Sequence, residues 1–273
     1  LTQTGTLTQA QSLASGLPKL ILAAERLALI AAPGLHGRRR GGQGDSFWQF
    51  RDWQNGDDAR SIDWRRSAQG DRLYLREREW EAQASVALTL EDTETLNFSS
   101  GKALPTKRDR AVLLLLALAS ILLRAGERVA LSGITQAASG HHTLHHIAAG
   151  LLHSARTQLP TDARARRIIF GDFLTPAPHF TAPPGGAVLQ LLDPAECDFP
   201  YAGRVIFEGM GHESPLEATN AQDWQATYRA RIAAQRDAVI QAAQSTGQTA
   251  LFHRTDTPPA TALAALYQAL RRQ

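Results

Sequence analysis

One cysteine, Cys197, in 273 residues excludes an intrachain disulfide and a multi-cysteine metal cluster. A reducing, cytoplasmic compartment is therefore the simplest expectation, at most peripheral to a membrane complex. The opening "LTQTGTLTQAQSLASGLPKL" lacks a basic stretch followed by an apolar signal core. Long apolar runs are missing too. The strongest, "AVLLLLALASILL" at 111–123, is 13 residues long between "KRDR" and "RAGER", against the roughly 20 that a membrane-spanning helix needs. It reads instead as a helix buried on most of its circumference against a sheet, and no transmembrane segment is expected. There is no low-complexity tract and no repeat at solenoid spacing. No G-x-S-x-G elbow or Walker A loop appears, and "GGQG" at 41–44 is too generic to cradle a phosphate. Cys197, in "AECDFP", has no nearby histidine and reads as a packed thiol. The net charge of +3 is too small to identify a partner.

What is present is alternation. "SVALTLE" (85–91), a strand near 128–132, "RRIIFGDF" (167–173 as a strand), "GAVLQLLD" (186–193), "GRVIFEG" (203–209) and "TALFHR" (249–254) read as strands. Helical patterns fall near 21–32, 111–123, 142–157, 221–244 and 259–271. Repeated strand, helix, strand units predict an α/β fold with a three-layer, mostly parallel sheet. Ligands of such sheets gather at the C-terminal ends of strands, which directs attention to Glu91, Asp92, Gly171 and Asp172. The expected organisation is a helical arm over 1–35, a small β-rich subdomain over 36–83 and the α/β domain over 84–273.

Residues 36–80 hold four of the five tryptophans, Trp48, Trp53, Trp64 and Trp80. Their centre is "GDDARSIDWRRSAQGDRLYLRE" (56–77). Gly56 can supply a turn, and Asp57 or Asp58 can accept nearby backbone N–H groups. Arg60 carries the planar fork for a carboxylate, with Asp57, Asp63 or a remote acid as partner. In an extended segment Ile62 and Trp64 would both face a core while Asp63 points away. A clasp that docks the small subdomain onto the α/β core is the favoured reading, ahead of a ligand or protein surface and of catalysis.

"GQGDSFWQFRDWQNGDDARSIDWRRSAQGDRLYLREREWE" (42–81) resembles the signature of the bacterial DUF58 family. Gly42, Gly44, Phe47, Arg51, Gly56, Asp57, Asp58, Arg60, Ile62, Asp63, Trp64, Ser67 and Ala68 match it in register. Trp53 takes a usual Tyr place, and Gln69 stands where Arg is common. The resemblance implies a core similar to a von Willebrand factor A domain. It also implies a protein partner, such as a MoxR-like AAA+ ATPase or an envelope-associated assembly. An accessory, non-enzymatic role follows more readily from it than a defined reaction; the runner-up is a metal-assisted enzyme.

In the A-domain relatives the first core strand ends in D-x-S-x-S, a divalent-cation site that a partner's carboxylate completes. "LEDTETLNFSS" places Glu91, Thr93 and Thr95 on those positions, with Asp172 as a further oxygen donor and Thr135 as a weaker one. A register starting at Asp92 would instead put Glu94 and Leu96 on the hydroxyl positions. E-x-T-x-T departs from the pattern, because Glu carries its carboxylate one methylene farther out. The expectation is a degenerate metal-ion-dependent adhesion site with no required cofactor; Mg²⁺ or another divalent cation is the alternative.

Two further features invite other chemistry. His141, His142, His145 and His146 form two i,i+4 pairs that could each offer two imidazoles to a metal, without an evident third ligand; a solvated helix face is the simpler reading. "GRRR" at 37–40 suggests nucleic acid. Between 36 and 80, however, ten Arg or Lys residues are interleaved with eight Asp or Glu residues, which is no phosphate-binding field and argues against nucleic acid.

Overall fold

The structure is a computed structural model. It describes residues 3–31, 47–54, 57, 62–68, 70, 72–78, 85–91, 93–153, 164–174, 180, 185–210 and 214–271. The chain divides into two units, one of residues 1–37 with 84–273 and one of 38–83.

The larger unit begins with helix α1 (Gln3–Ala31). Ile21, Ala24, Leu27, Ala28 and Ala31 are buried at helical spacing along it, and the helix packs on three others introduced below. The smaller unit pairs β1 (Phe47–Asp52) antiparallel with β2 (Tyr74–Arg78), separated by the one-turn helix α2 (Trp64–Ser67).

The larger unit continues through β3 (Ser85–Leu90), a 3-10 turn at Glu94–Asn97, α3 (Lys107–Arg124), β4 (Arg128–Leu131), α4 (His141–His153), β5 (Arg166–Gly171) and β6 (Gly186–Leu192). Then come α5 (Pro194–Asp198), the short strands β7 (Val205–Phe207) and β8 (Leu216–Ala218), α6 (Gln225–Ser245), β9 (Thr249–Arg254) and α7 (Pro259–Arg271). Five strands form one sheet in the order β4-β3-β5-β6-β9, every adjacent pair parallel. Side chains alternate across it. Val86, Leu88, Val129, Leu131, Ile168, Phe170, Leu189 and Leu191 meet the layer of α1, α3, α4 and α7, while Val188 packs with Val239 and Ala243 of α6 on the opposite face. All of β6 is buried, which explains a run that is apolar but for Gln190.

Helix α3 is the central pillar of the first layer. Residues 114–120 of it are all buried, each leucine contributing about 2 kcal/mol relative to exposure. Thr106 caps it by accepting the Asp109 N–H at 3.0 Å. Among the described residues no helix is long and apolar enough to cross a membrane. The start of β6 admits only glycine: Gly186 has φ +114°, and a Cβ there would lie 2.0 Å from the Arg167 carbonyl oxygen.

Two expectations need correction. The strand expected over 203–209 does not extend the parallel sheet. It shortens to β7 and pairs with β8 in a separate antiparallel ribbon, because Val205 and Phe207 pack into an aromatic cluster with Phe199, Tyr201, Trp224 and Tyr228. Trp64 is not a core residue beside Ile62. Ile62 is buried, but Trp64 is 63% exposed. The cause is Asp63, whose Oδ1 accepts the Arg66 N–H at 3.0 Å and starts a helical turn where extended alternation was expected.

Candidate functional site

The charged motif of the smaller unit stitches that unit together. Asp57 Oδ2 accepts the Gln54 N–H at 2.8 Å, while the Asp57 N–H returns to the Gln54 carbonyl at 3.0 Å. Asp63 caps α2, and its N–H donates to the Tyr74 carbonyl at 2.9 Å. The buried Ser67 hydroxyl donates to the Asp63 carbonyl at 2.8 Å and accepts the Tyr74 N–H at 2.9 Å, tying α2 to β2. All of these bonds involve backbone groups and lie within the smaller unit. Gly56, Asp58 and Arg60 lie outside the described residues, as does Asp92.

Chemistry concentrates at the C-terminal ends of the parallel strands. From β3 the chain moves to β4 on one side, then returns past β3 to β5 on the other. The β3/β5 crevice is thus the point where strand order reverses, the usual place for a ligand in an open α/β sheet. Glu91 follows β3 and Asp172 follows β5. The Glu91 N–H extends the ladder by donating to the Phe170 carbonyl at 2.8 Å.

Glu91 turns its carboxylate toward the neighbouring loop, where Oε2 accepts the Phe173 N–H at 3.2 Å. Phe173 is buried with φ +48°, a conformation costly for a side chain with a Cβ. Three side chains hold the loop there: Glu91, Gln190, whose Nε2 donates to the Asp172 carbonyl at 2.8 Å, and Gln235, which donates to the Phe173 carbonyl. Burial raises the Glu91 pKa above the ordinary carboxylate value, the bond from Phe173 opposes this, and the Asp172 charge adds to it.

Close packing explains the glycine between them. A Cβ on Gly171 would lie 2.3 Å from Glu91 Oε2 and 2.7 Å from the Phe173 ring. Gly171→Ala should therefore displace the Glu91 carboxylate and cost about 1–3 kcal/mol. Urea unfolding checks it, and a loss of under about 0.5 kcal/mol would show that the loop yields freely.

Asp172 is 1% exposed and Lys107, the first residue of α3, is fully buried. Lys107 Nζ donates to Asp172 Oδ2 at 2.8 Å and to Glu196 Oε1 at 2.6 Å. Its ammonium lies 5.9 Å from the centroid of the Phe98 ring. Glu196 is held by a reciprocal cap. Its Oε2 accepts the Asp193 N–H at 2.8 Å, while Asp193 Oδ1 accepts the Ala195 N–H at 2.8 Å. Asp193 Oδ2 also accepts the Ser100 N–H at 3.0 Å, anchoring the loop after the 3-10 turn. Burial raises the Glu196 pKa and the Lys107 charge opposes it.

The expected oxygen donors are thus distributed as follows. Glu91 and Asp172 share the crevice. Thr95 Oγ1 donates to Thr93 Oγ1 at 3.1 Å, so these hydroxyls bond to each other. Thr135 Oγ1 is taken up locally by the Leu131 N–H at 2.8 Å. Lys107, Asp193 and Glu196 were not anticipated. The sequence carried two signals for them: D-P-A-E is a capping-box pattern, and a lysine opening a helix opposes the helix dipole, a placement that calls for nearby acids.

Elsewhere, His141, His142, His145 and His146 are all exposed on α4, the 141 and 145 rings 5.6 Å apart. Among the described residues no three His, Cys, Asp or Glu side chains are grouped to hold a metal. Cys197 is half-buried, and burial raises its pKa, which disfavours the nucleophilic thiolate.

Residues 49–238 match the family model described as "Protein of unknown function DUF58". The chain belongs to the DUF58 family. The match spans the charged motif of the smaller unit, the strand-end crevice and most of α6. No curated protein and no solved structure matches this DUF58 chain.

Proposed function

We propose that this DUF58 protein is an accessory, protein-interaction module whose recognition face is the C-terminal edge of the parallel sheet. Family membership supports the general role. The observation that carries the reading is the contrast at the β3/β5 crevice. Its interior carboxylates are engaged by backbone N–H groups and the Lys107 ammonium, while Glu94, Asn97, Ser100 and Lys102 are exposed on the segment that follows β3, which Ser100 anchors to Asp193. A floor whose carboxylates are held by internal hydrogen bonds, beside exposed polar residues, suits docking of a complementary surface. The family resemblance implies a face of the kind that von Willebrand factor A domains use for partners. The partner we infer is a MoxR-like AAA+ ATPase, with the module presenting a client to it or coupling it to an envelope-associated assembly.

Affinity capture with a MoxR-type AAA+ ATPase from the same organism tests this, with and without ATP. Glu94→Arg and Asn97→Arg, both on that exposed segment, should each weaken capture about tenfold or more without lowering stability. Capture unaffected by both changes, or no capture at all, would sink the assignment.

A further inference from the structure

We propose that the Lys107 ammonium is the resident cation of the strand-end site, standing where a divalent ion would otherwise neutralise the carboxylates, so that this face works without a metal. The inference rests on the geometry of the crevice and holds whichever partner docks there.

The ammonium is held as a bound ion would be. It comes from a side chain with no solvent exposure and bridges Asp172 of the β5 end and Glu196 of α5 at charge-assisted hydrogen-bond distances of 2.8 and 2.6 Å. These elements are 65 and 89 residues from Lys107 in sequence, and the ammonium joins them as a metal joins distant ligands. A small octahedral ion needs about six oxygens at roughly 2.1 Å, and among the described residues no three His, Cys, Asp or Glu side chains are grouped to hold one.

The remaining donors point elsewhere. Glu91 Oε2 accepts from the Phe173 backbone, both Asp193 oxygens accept backbone N–H groups, and Thr95 donates to Thr93. A divalent ion brought to Asp172 Oδ2 would lie within a few ångströms of a fixed positive charge and lose affinity to repulsion. A bound metal can also exchange with solvent, whereas a cation on the chain's own backbone cannot leave. Chelators and divalent-cation levels should not control this face.

The test compares wild type, Lys107→Gln and Lys107→Ser, with and without Asp172→Asn, by Mn²⁺ titration followed by electron paramagnetic resonance and by thermal unfolding in millimolar Mg²⁺ or chelator. Wild type should bind no stoichiometric Mn²⁺, with the same Tm in both buffers. Removing the ammonium should strengthen Mn²⁺ binding by about tenfold or more and make Tm metal-dependent, both effects disappearing with Asp172→Asn. Lys107→Gln retains much of the side-chain volume and a polar terminus, so it serves if Lys107→Ser does not fold; if neither folds, wild type decides alone. Stoichiometric Mn²⁺ binding by wild type that Asp172→Asn abolishes would overturn the proposal. So would a folded Lys107 variant that gains no binding.

Discussion

Replacing Lys107 with Met is expected to destabilise the protein by about 3–5 kcal/mol at neutral pH. The methylene stem is conserved in volume, so the loss isolates the ammonium. Without it Asp172, 1% exposed, keeps a charge with no counter-ion, and Glu196 loses the 2.6 Å contact that offsets its burial. The loss should also depend on pH in a definite direction. With the ammonium gone, the Glu196 carboxylate, whose pKa burial already raises, loses the charge that opposed that rise and prefers its protonated form in the folded state. Stability is then greatest below the ordinary carboxylate range and falls as pH rises through the raised value. The Lys107→Met penalty should therefore be smaller at about pH 5 than at about pH 8. Equilibrium urea unfolding at both pH values measures it. In a double-mutant cycle, Asp172→Asn should recover part of the Lys107→Met loss, because it removes the stranded charge. A penalty under about 1 kcal/mol, typical of a solvated pair, would contradict the buried geometry.

Acidification should expose a second buried group. His253, on β9, is 6% exposed, and burial together with the Arg110 guanidinium lowers its pKa from 6.5 to about 4. The Thr257 hydroxyl donates to the Arg254 carbonyl at 2.7 Å, so at 3.2 Å from His253 Nδ1 it is the acceptor and Nδ1 carries the proton. Nε2 is buried without a hydrogen-bond partner among the described residues, and protonating it would put an unmatched charge in the interior. A folded pKa below the unfolded one means stability is present above 6.5 and lost as pH falls through about 4. The loss between pH 7 and 4 should be about 3 kcal/mol. Glu91 and Glu196, whose pKa values are raised, respond in the opposite sense, so the histidine is isolated by difference. The stability of His253→Phe should fall less than that of wild type over this range, by about 3 kcal/mol. Parallel pH profiles for the two proteins would refute the assignment.

Much of the layout was legible along the chain because its signals are local. The strand at 249–254 and the helix at 259–271 coincide with β9 and α7, and the apolar run at 111–123 lies within α3. Asp172 could be located because it follows a strand whose partners in the sheet are strands of the same kind. Trp64 was misread because alternation in "SIDW" resembles a strand, whereas the Asp63 side chain offers the backbone a helical start over three residues. A short-range cap outweighed a two-residue period.

The sequence by itself determined the α/β alternation, family membership and a strand-end location for the polar residues, since periodicity, turn chemistry and motif spacing act over a few residues at a time. Only the tertiary structure decided what neutralises those residues. The β3/β5 neighbourhood follows from strand order, and it brings Lys107 from the start of one helix onto Asp172 and Glu196. Nothing in the spacing of these three residues specifies that meeting. The low dielectric of a filled core makes each charge depend on the others, and that dependence exists only once the chain has closed around them.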